Sequence, residues 1–282
     1  MRGLFLGLMT LDCIYQAERP PQANEKLVAQ DVIMAAGGPA TNAAVAFAAL
    51  GGDASVAAAV GQHPVTALLR EDLAEVGVTV HDLTPQRQAS PPVSSIVVSA
   101  TGERAVMSRN AVGLQVNHQP LDLTDIDVVL VDGHQMQLSV QVAKAAKQLG
   151  IPVVVDAGSW KPGFEQVLSL ATVVIASANF HPPAMDALRY LQSLEIPYIA
   201  ITRGDQPILV SDRNTMYEIT VPQVVVVDTL GAGDIFHGAF CYTWAGDFAA
   251  ALTRASQIAS LSCQYFGTRA WISQRGSPNP QI

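Results

Sequence analysis

The chain has 282 residues, 49% hydrophobic and 14% charged, enough apolar material for a large core in one domain, or in one domain with a small appendage. Its 16 basic and 24 acidic residues leave a net charge of −8, and no basic stripe occurs, which argues against a nucleic-acid partner. The three cysteines, Cys13, Cys241 and Cys263, form no CxxC pair and fit buried free thiols in a reducing compartment.

In chain order, Gly3–Met9 reads as a short buried strand, and Thr10-Leu11-Asp12 follows it at once, unlike a signal peptide. Asp12 stands at the carboxyl end of that strand. Open α/β sheets bind ligands there, and turn or cap residues are also common there. The uncharged run from Ala35 to Gly52 carries Pro39, Thr41 and Asn42 and falls short of the roughly 20 apolar residues of a spanning helix. We therefore expect a soluble, cytoplasmic protein with no membrane partner.

Pro39–Leu50 is an Ala-rich helix, Ala54–Val60 a strand, and Val65–Val76 a helix with its charges on one side. Val128–Val131, Leu138–Leu149 and Val153–Val155 form a strand–helix–strand unit. Thr172–Ile175, a helix around Ala184–Leu194, and Tyr198–Ile201 repeat the theme. The valine run Val224–Val227 reads as a further strand, followed by helices near 233–245 and 247–265. This rhythm, with strands apolar on both faces, predicts an α/β fold: a mostly parallel central sheet covered by helices on both sides.

Two stretches depart from it. Residues 12–33 and 90–109 are more polar and alternate with period two, as in Ser95-Ile96-Val97-Val98-Ser99, and Thr101-Gly102-Glu103-Arg104 reads as a hairpin turn. They predict a small accessory sheet, a lid, within a single domain over 1–282. The tail around Gly276-Ser277-Pro278-Asn279-Pro280 is expected to fray.

The most informative stretch is Asp228-Thr229-Leu230-Gly231-Ala232-Gly233-Asp234. Residues 231–234 fall at the first turn of a helix, where backbone N–H groups lack internal partners and the dipole is positive. Such a turn binds an anion, often phosphate. Asp234 is poorly suited to holding phosphate by charge. It suits taking a proton from a hydroxyl that attacks the phosphate. A second site is Gly37-Gly38-Pro39-Ala40-Thr41-Asn42, where the glycines allow close approach of a ligand. Asn42 can donate to and accept from a sugar hydroxyl, or serve as a satisfied residue at a packing junction. Thr202-Arg203-Gly204-Asp205 follows a strand, either as an ordinary turn or as the edge of a nucleotide pocket. His237, one turn beyond Asp234, reads as a packing residue. No GxxxxGK[ST], GxSxG or HExxH motif occurs, and Phe236 stands where a dinucleotide fingerprint wants glycine or alanine.

Together, Gly37-Gly38-Pro39-Ala40-Thr41-Asn42 and Asp228-Thr229-Leu230-Gly231-Ala232-Gly233-Asp234 resemble the two signatures of the ribokinase-like (pfkB) carbohydrate kinases. The resemblance spans nearly the whole chain. Leu11-Asp12-Cys13-Ile14-Tyr15 and Asp234-Ile235-Phe236-His237-Gly238-Ala239 look closest to the ketohexokinase-like and sulfofructose-kinase-like branch. It implies a three-layer α/β/α fold with a β-sheet lid and ATP-dependent phosphorylation of a sugar hydroxyl. It further implies Asp234 as base and the amides of Gly231, Ala232 and Gly233 as anion hole. Asp12, Gly38 and Asn42 would bind the sugar, and Thr202 and Gly204 would face the nucleotide. ATP and Mg2+ are the implied cofactors, with a monovalent cation around Asp228 and residues 263–269, and a homodimer through the lid is the implied assembly.

The chain departs from this pattern in places. Asn179-Phe180-His181-Pro182 has proline where many relatives carry the glutamate of an Asn-x-x-Glu motif tied to Mg2+. Pro207 takes the place of a second glycine on the nucleotide side, and a final helix common in the family is expected to be missing after Trp271. Alternatives are a nucleoside or sugar-phosphate kinase of the same fold, with Arg104 and Arg109 as candidate anion contacts, or a sugar-binding protein impaired in catalysis.

Overall fold

The computed structural model describes residues 1–109, 111, 114, 116, 120–183, 185–213 and 215–274. The expected fraying of residues 276–280 lies outside them. The elements run β1 (Arg2–Leu6), β2 (Thr10–Gln16), β3 (Asp31–Gly37), α1 (Pro39–Ala49), β4 (Asp53–Ala58), α2 (Thr66–Glu75) and β5 (Val78–Asp82). They continue with β6 (Val93–Val98), β7 (Arg104–Arg109), β8 (Val128–Val131), α3 (Met136–Gln148), β9 (Val153–Ala157), α4 (Phe164–Leu168) and β10 (Val173–Ser177). The last are α5 (Ala187–Ser193), β11 (Tyr198–Arg203), β12 (Gln206–Asp212), β13 (Thr215–Ile219), α6 (Ala232–Thr243), α7 (Phe248–Ser262) and a 3-10 turn at Ala270–Gln274.

Nine strands form one sheet in the order β13-β12-β11-β10-β9-β8-β1-β4-β5. The strands from β5 to β11 pair in parallel, and β12 and β13 extend the sheet antiparallel. Alternate residues of the central strands feed two cores. Phe5, Leu130, Val154 and Ile175 pack on the side of α1, α2, α6 and α7, while Leu6, Val131, Val155 and Val174 pack on the side of α3, α4 and α5. Burial on both faces is why these strands read as unbroken apolar runs, and the result is the expected three-layer α/β/α fold.

The second sheet has four strands in the order β3-β2-β6-β7. Its β6–β7 hairpin turns at residues 99–103, as expected, and residues 17–30 between β2 and β3 hold no helix or strand. Its inner face carries Ile14, Ile96 and Val98, which pack on Leu230 and Phe266. The small sheet is therefore closed over the approach to α6.

One expected strand is absent. Val224–Val227 has no strand pairing and is largely exposed, Val225 at 80%. The strand preceding α6 is instead β13, and the valines form an irregular segment beyond it. Two packing facts position the site. α1 and α6 lie so close that a Cβ on Gly238 would stand 2.1 Å from the Ala43 carbonyl oxygen. Asp228 accepts from the Leu230 amide at 2.8 Å and the Gly267 amide at 2.9 Å, which ties the glycine turn to the loop after α7.

Candidate active site

The glycine turn forms the expected helix start. Gly231 caps α6 at φ 70, a left-handed conformation that favours glycine, and no side chain caps the helix. The first helical bond runs from the Ile235 amide to the Gly231 carbonyl, at 2.8 Å. Within helical geometry this leaves the Gly233 and Asp234 amides without a partner. The Ala232 amide makes a long turn bond of 3.3 Å to the Thr229 carbonyl. The donor set fits a phosphate group at this helix end.

Asp234 lies half-buried in the first turn of α6. Asn42, on α1, donates from Nδ2 to Asp234 Oδ2 at 2.9 Å. The two residues are 192 positions apart and meet because α1 and α6 pack at Gly238. Asn42 Oδ1 accepts from Arg269 at 3.2 Å, so each end of the amide is engaged and keeps one further hydrogen-bonding capacity. Desolvation by the surrounding packing pushes the Asp234 carboxyl up to about 7. The neighbouring Asp156 charge adds to the rise, while the Asn42 hydrogen bond and His237 oppose it.

Asp156, at the end of β9, was not singled out in the sequence; a lone aspartate closing an apolar strand carries no signal there. His237 is buried as expected. Its Nδ1 sits 2.6 Å from the Gly233 carbonyl, and its Nε2 sits 3.3 Å from the Ile175 carbonyl and 3.6 Å from Asp156 Oδ1. His237 thus braces both the glycine turn and the second carboxylate. Asp132, directly after β8, also went unnoticed. Its Oδ2 accepts from the Leu8 amide at 2.9 Å and the Ala40 amide at 3.2 Å, and its Oδ1 from His134. Burial alone would push its carboxyl up; the charge and hydrogen bonds of His134, with the Leu8 amide, outweigh that and hold it at about 2.

Asp12 is not in a turn after β1. It lies inside β2, because the chain leaves the main sheet at Leu6 and enters the small one at Thr10. It is buried, accepts from Thr10 Oγ1 at 2.6 Å, and its carboxylate occupies the space a Cβ on Gly37 would take. Desolvation raises its carboxyl above the usual range, against Thr10, Ser94 and Arg269. Gly38 caps α1 at φ 101, where a Cβ would meet the Leu8 carbonyl oxygen at 2.3 Å.

On the other side of the glycine turn lies a cavity of about 470 Å³. Thr202, Gly204, Val224, Val226, Gly233 and Phe236 line it. Val224 and Val226, of the run that read as a strand, are thus pocket wall. Arg104 also lines this cavity and donates to Thr229 Oγ1 at 2.8 Å and to the Thr229 carbonyl at 3.2 Å. It therefore shares the cavity that Thr202 and Gly204 line. Asn179 lines the same cavity, and Pro207 sits in β12 with its carbonyl accepting from Arg203. Among the described residues no three His, Cys, Asp or Glu side chains cluster as a metal cage.

The architecture and both motifs coincide with one family, whose model, described as pfkB family carbohydrate kinase, matches residues 4–275. The chain belongs to the pfkB family of carbohydrate kinases. An ATP-dependent ribose-1-phosphate kinase of Halopiger xanaduensis is 26% identical over 96% of this chain and 94% of its own length. A ribokinase of Bacillus subtilis is 26% identical over 96% of this chain and 95% of its own. A solved protein of Agrobacterium tumefaciens, provisionally named a ribokinase, superposes with a TM-score of 0.83 at 27% identity, covering 97% of each chain. Among the described residues no helix is long and apolar enough to cross a membrane.

Proposed function

We propose that this carbohydrate kinase transfers the γ-phosphoryl group of ATP to a sugar hydroxyl, with Asp234 as the general base. The observation that carries the reading is Asp234 itself. It is a carboxylate with a raised pKa in the first turn of an uncapped helix, held at 2.9 Å by Asn42 from the helix that follows Gly37-Gly38. The sugar hydroxyl loses its proton to Asp234 as its oxygen forms the new O–P bond. The bond between the γ-phosphorus and the bridging oxygen breaks, and ADP leaves. The amides of Gly231, Ala232 and Gly233 face the moving phosphoryl group, where in-line positioning and charge stabilisation do most of the work. Asp12, Gly38 and Asn42 bind the sugar. Thr202 and Gly204 border the nucleotide.

Mg2+ would enter as part of the MgATP substrate. Its chemistry is to neutralise phosphate charge. A monovalent cation beside Asp228 would show as a potassium dependence of kcat. The small sheet acts as a lid that excludes competing water.

Its outer face supports a homodimer. Tyr15, Val97 and Met107 line a groove of about 620 Å³ there, next to Val32 and Met34, which are 47% and 53% exposed. Sedimentation that gives a monomeric mass at micromolar concentration would sink that part of the proposal.

The test is ADP release with ribose, deoxyribose, fructose, ribose 1-phosphate and inosine, beside an Asp234→Asn control. Turnover of a free sugar that the control lacks supports the reading. A sugar-phosphate substrate is the second reading, favoured by the similarity to the ribose-1-phosphate kinase. Strong preference for ribose 1-phosphate over ribose would establish it.

A further inference from the structure

Arg269 lies in the loop after α7, 227 positions from Asn42, and no motif points to it. Its guanidinium is fixed from several sides. Nη1 donates to Thr268 Oγ1 at 2.9 Å and to Asn42 Oδ1 at 3.2 Å. Nη2 donates to the Ala36 carbonyl at 2.6 Å and to Asp72 Oδ2 at 3.0 Å. Asp72, on α2, also accepts from the Ala36 amide at 2.9 Å. The side chains of Arg269 and Asp72 are each only 18% exposed. The group therefore joins the base of the small sheet, α2, the C-terminal loop and α1 at one point.

We propose that Arg269 is a positioning residue for phosphoryl transfer, setting through Asn42 the hydrogen bond that Asp234 receives; this rests on reading Asp234 as the base. A side-chain amide has two orientations of nearly equal shape, related by a flip. One turns its NH2 group to Asp234 and the other turns its carbonyl oxygen there, lone pairs against a carboxylate. A guanidinium only donates, so it accepts no partner but the oxygen end of Asn42. Arg269 thereby selects the orientation in which Nδ2 faces Asp234. Gly231 keeps the space open, since a Cβ there would lie 3.0 Å from Thr268 Cγ2 and 3.5 Å from Asn42 Nδ2.

A merely structural Arg269 would tie the C-terminal loop to α2 and do nothing else. The two roles separate in the pH profile of kcat, in which the charged groups acting on Asp234 are Asp156, His237 and Asp132. Losing the Nδ2 donor disfavours the ionised base. The acid limb then moves to higher pH by about one unit, and kcat at pH 7 falls about fivefold.

The experiment compares Arg269→Met, Arg269→Lys, Asn42→Ala and the Arg269→Met/Asn42→Ala double variant with wild type. It uses MgATP and the sugar most rapidly phosphorylated in the panel above, with Asp234→Asn as baseline. Expected of the Arg269 variants are a lower kcat, a sugar KM within about threefold of wild type and an upward-shifted acid limb; Asn42→Ala should also raise sugar KM, and the double variant should have a kcat no lower than Asn42→Ala alone. Arg269→Lys keeps the charge but not the fork, and should fall in the same direction even if Arg269→Met does not fold. Carbon-13 NMR of the Asp234 carboxyl gives a readout without turnover: it should titrate higher in the Arg269 variant. An unmoved acid limb, or fully additive losses in the double variant, would overturn the relay alone. Full activity in Asp234→Asn would remove the base, and the relay with it.

Discussion

The two sides of the glycine turn are built differently. On the Asn42 side, polar side chains are paired and at least half-buried: Asp12 with Thr10, Asn42 with Asp234 and Arg269, Asp132 with Leu8, Ala40 and His134. On the cavity side, the wall mixes polar groups such as Asn179, Thr202 and Gln223 with the apolar Val224, Val226 and Phe236. On the proposed reading, the base and its neighbours are thus set before substrate arrives, as a step sensitive to sub-ångström placement requires. On the same reading the nucleotide in the cavity needs no such setting, since a flat ring can be held by shape and the phosphates by a helix end.

Breaking the ordered side should cost most. Asp234→Asn should lower kcat by about 10³-fold, within the usual span for a general base, with sugar KM little changed. The same variant should be more stable than wild type at pH 8. The folded carboxyl titrates at about 7, above its unfolded value of about 3.9. Its ionisation therefore opposes folding fully above pH 7 and not at all below about pH 4. Thermal melts should show a higher Tm for the variant at pH 8, a gain that vanishes at pH 4.

Gly231→Val should come next, with a loss in kcat of about 10²-fold. It forces a β-branched residue to φ 70 and pushes on Thr268 beside the Asn42–Asp234 pair. On the nucleotide side the effects should be smaller and confined to ATP. Val224→Ser should raise KM for ATP about fivefold, by lost apolar contact, and leave sugar KM unchanged. Arg104→Ala removes the hook from the hairpin tip to Thr229 and should raise KM for ATP about threefold, measured at low and high salt because the residue is exposed. If the nucleotide-side changes altered sugar KM as strongly, the contrast between the two sides would fail.

The α/β rhythm was legible because parallel strands buried on both faces leave unbroken apolar runs, and both glycine motifs could be read because they are local. Three things were not. Val224–Val227 mimics a strand, since a run of β-branched residues carries that pattern whether or not its backbone pairs. β13, Thr215–Ile219, is a short edge strand of mixed residues, largely exposed, and carries little pattern. Asp132, Asp156 and Arg269 acquire meaning only when distant segments meet, and no spacing along one chain encodes that meeting.

The central claim is that Asp234 is a base tuned by its surroundings. The most direct measurement is the pH dependence of kcat in wild type beside Asp156→Asn. The account predicts an acid limb near pH 7 in wild type, where the Asp234 carboxyl titrates. With the neighbouring charge removed, that limb should shift down by about one unit. A limb that stays in place, or a wild-type rate flat from pH 5 to 8, would contradict it.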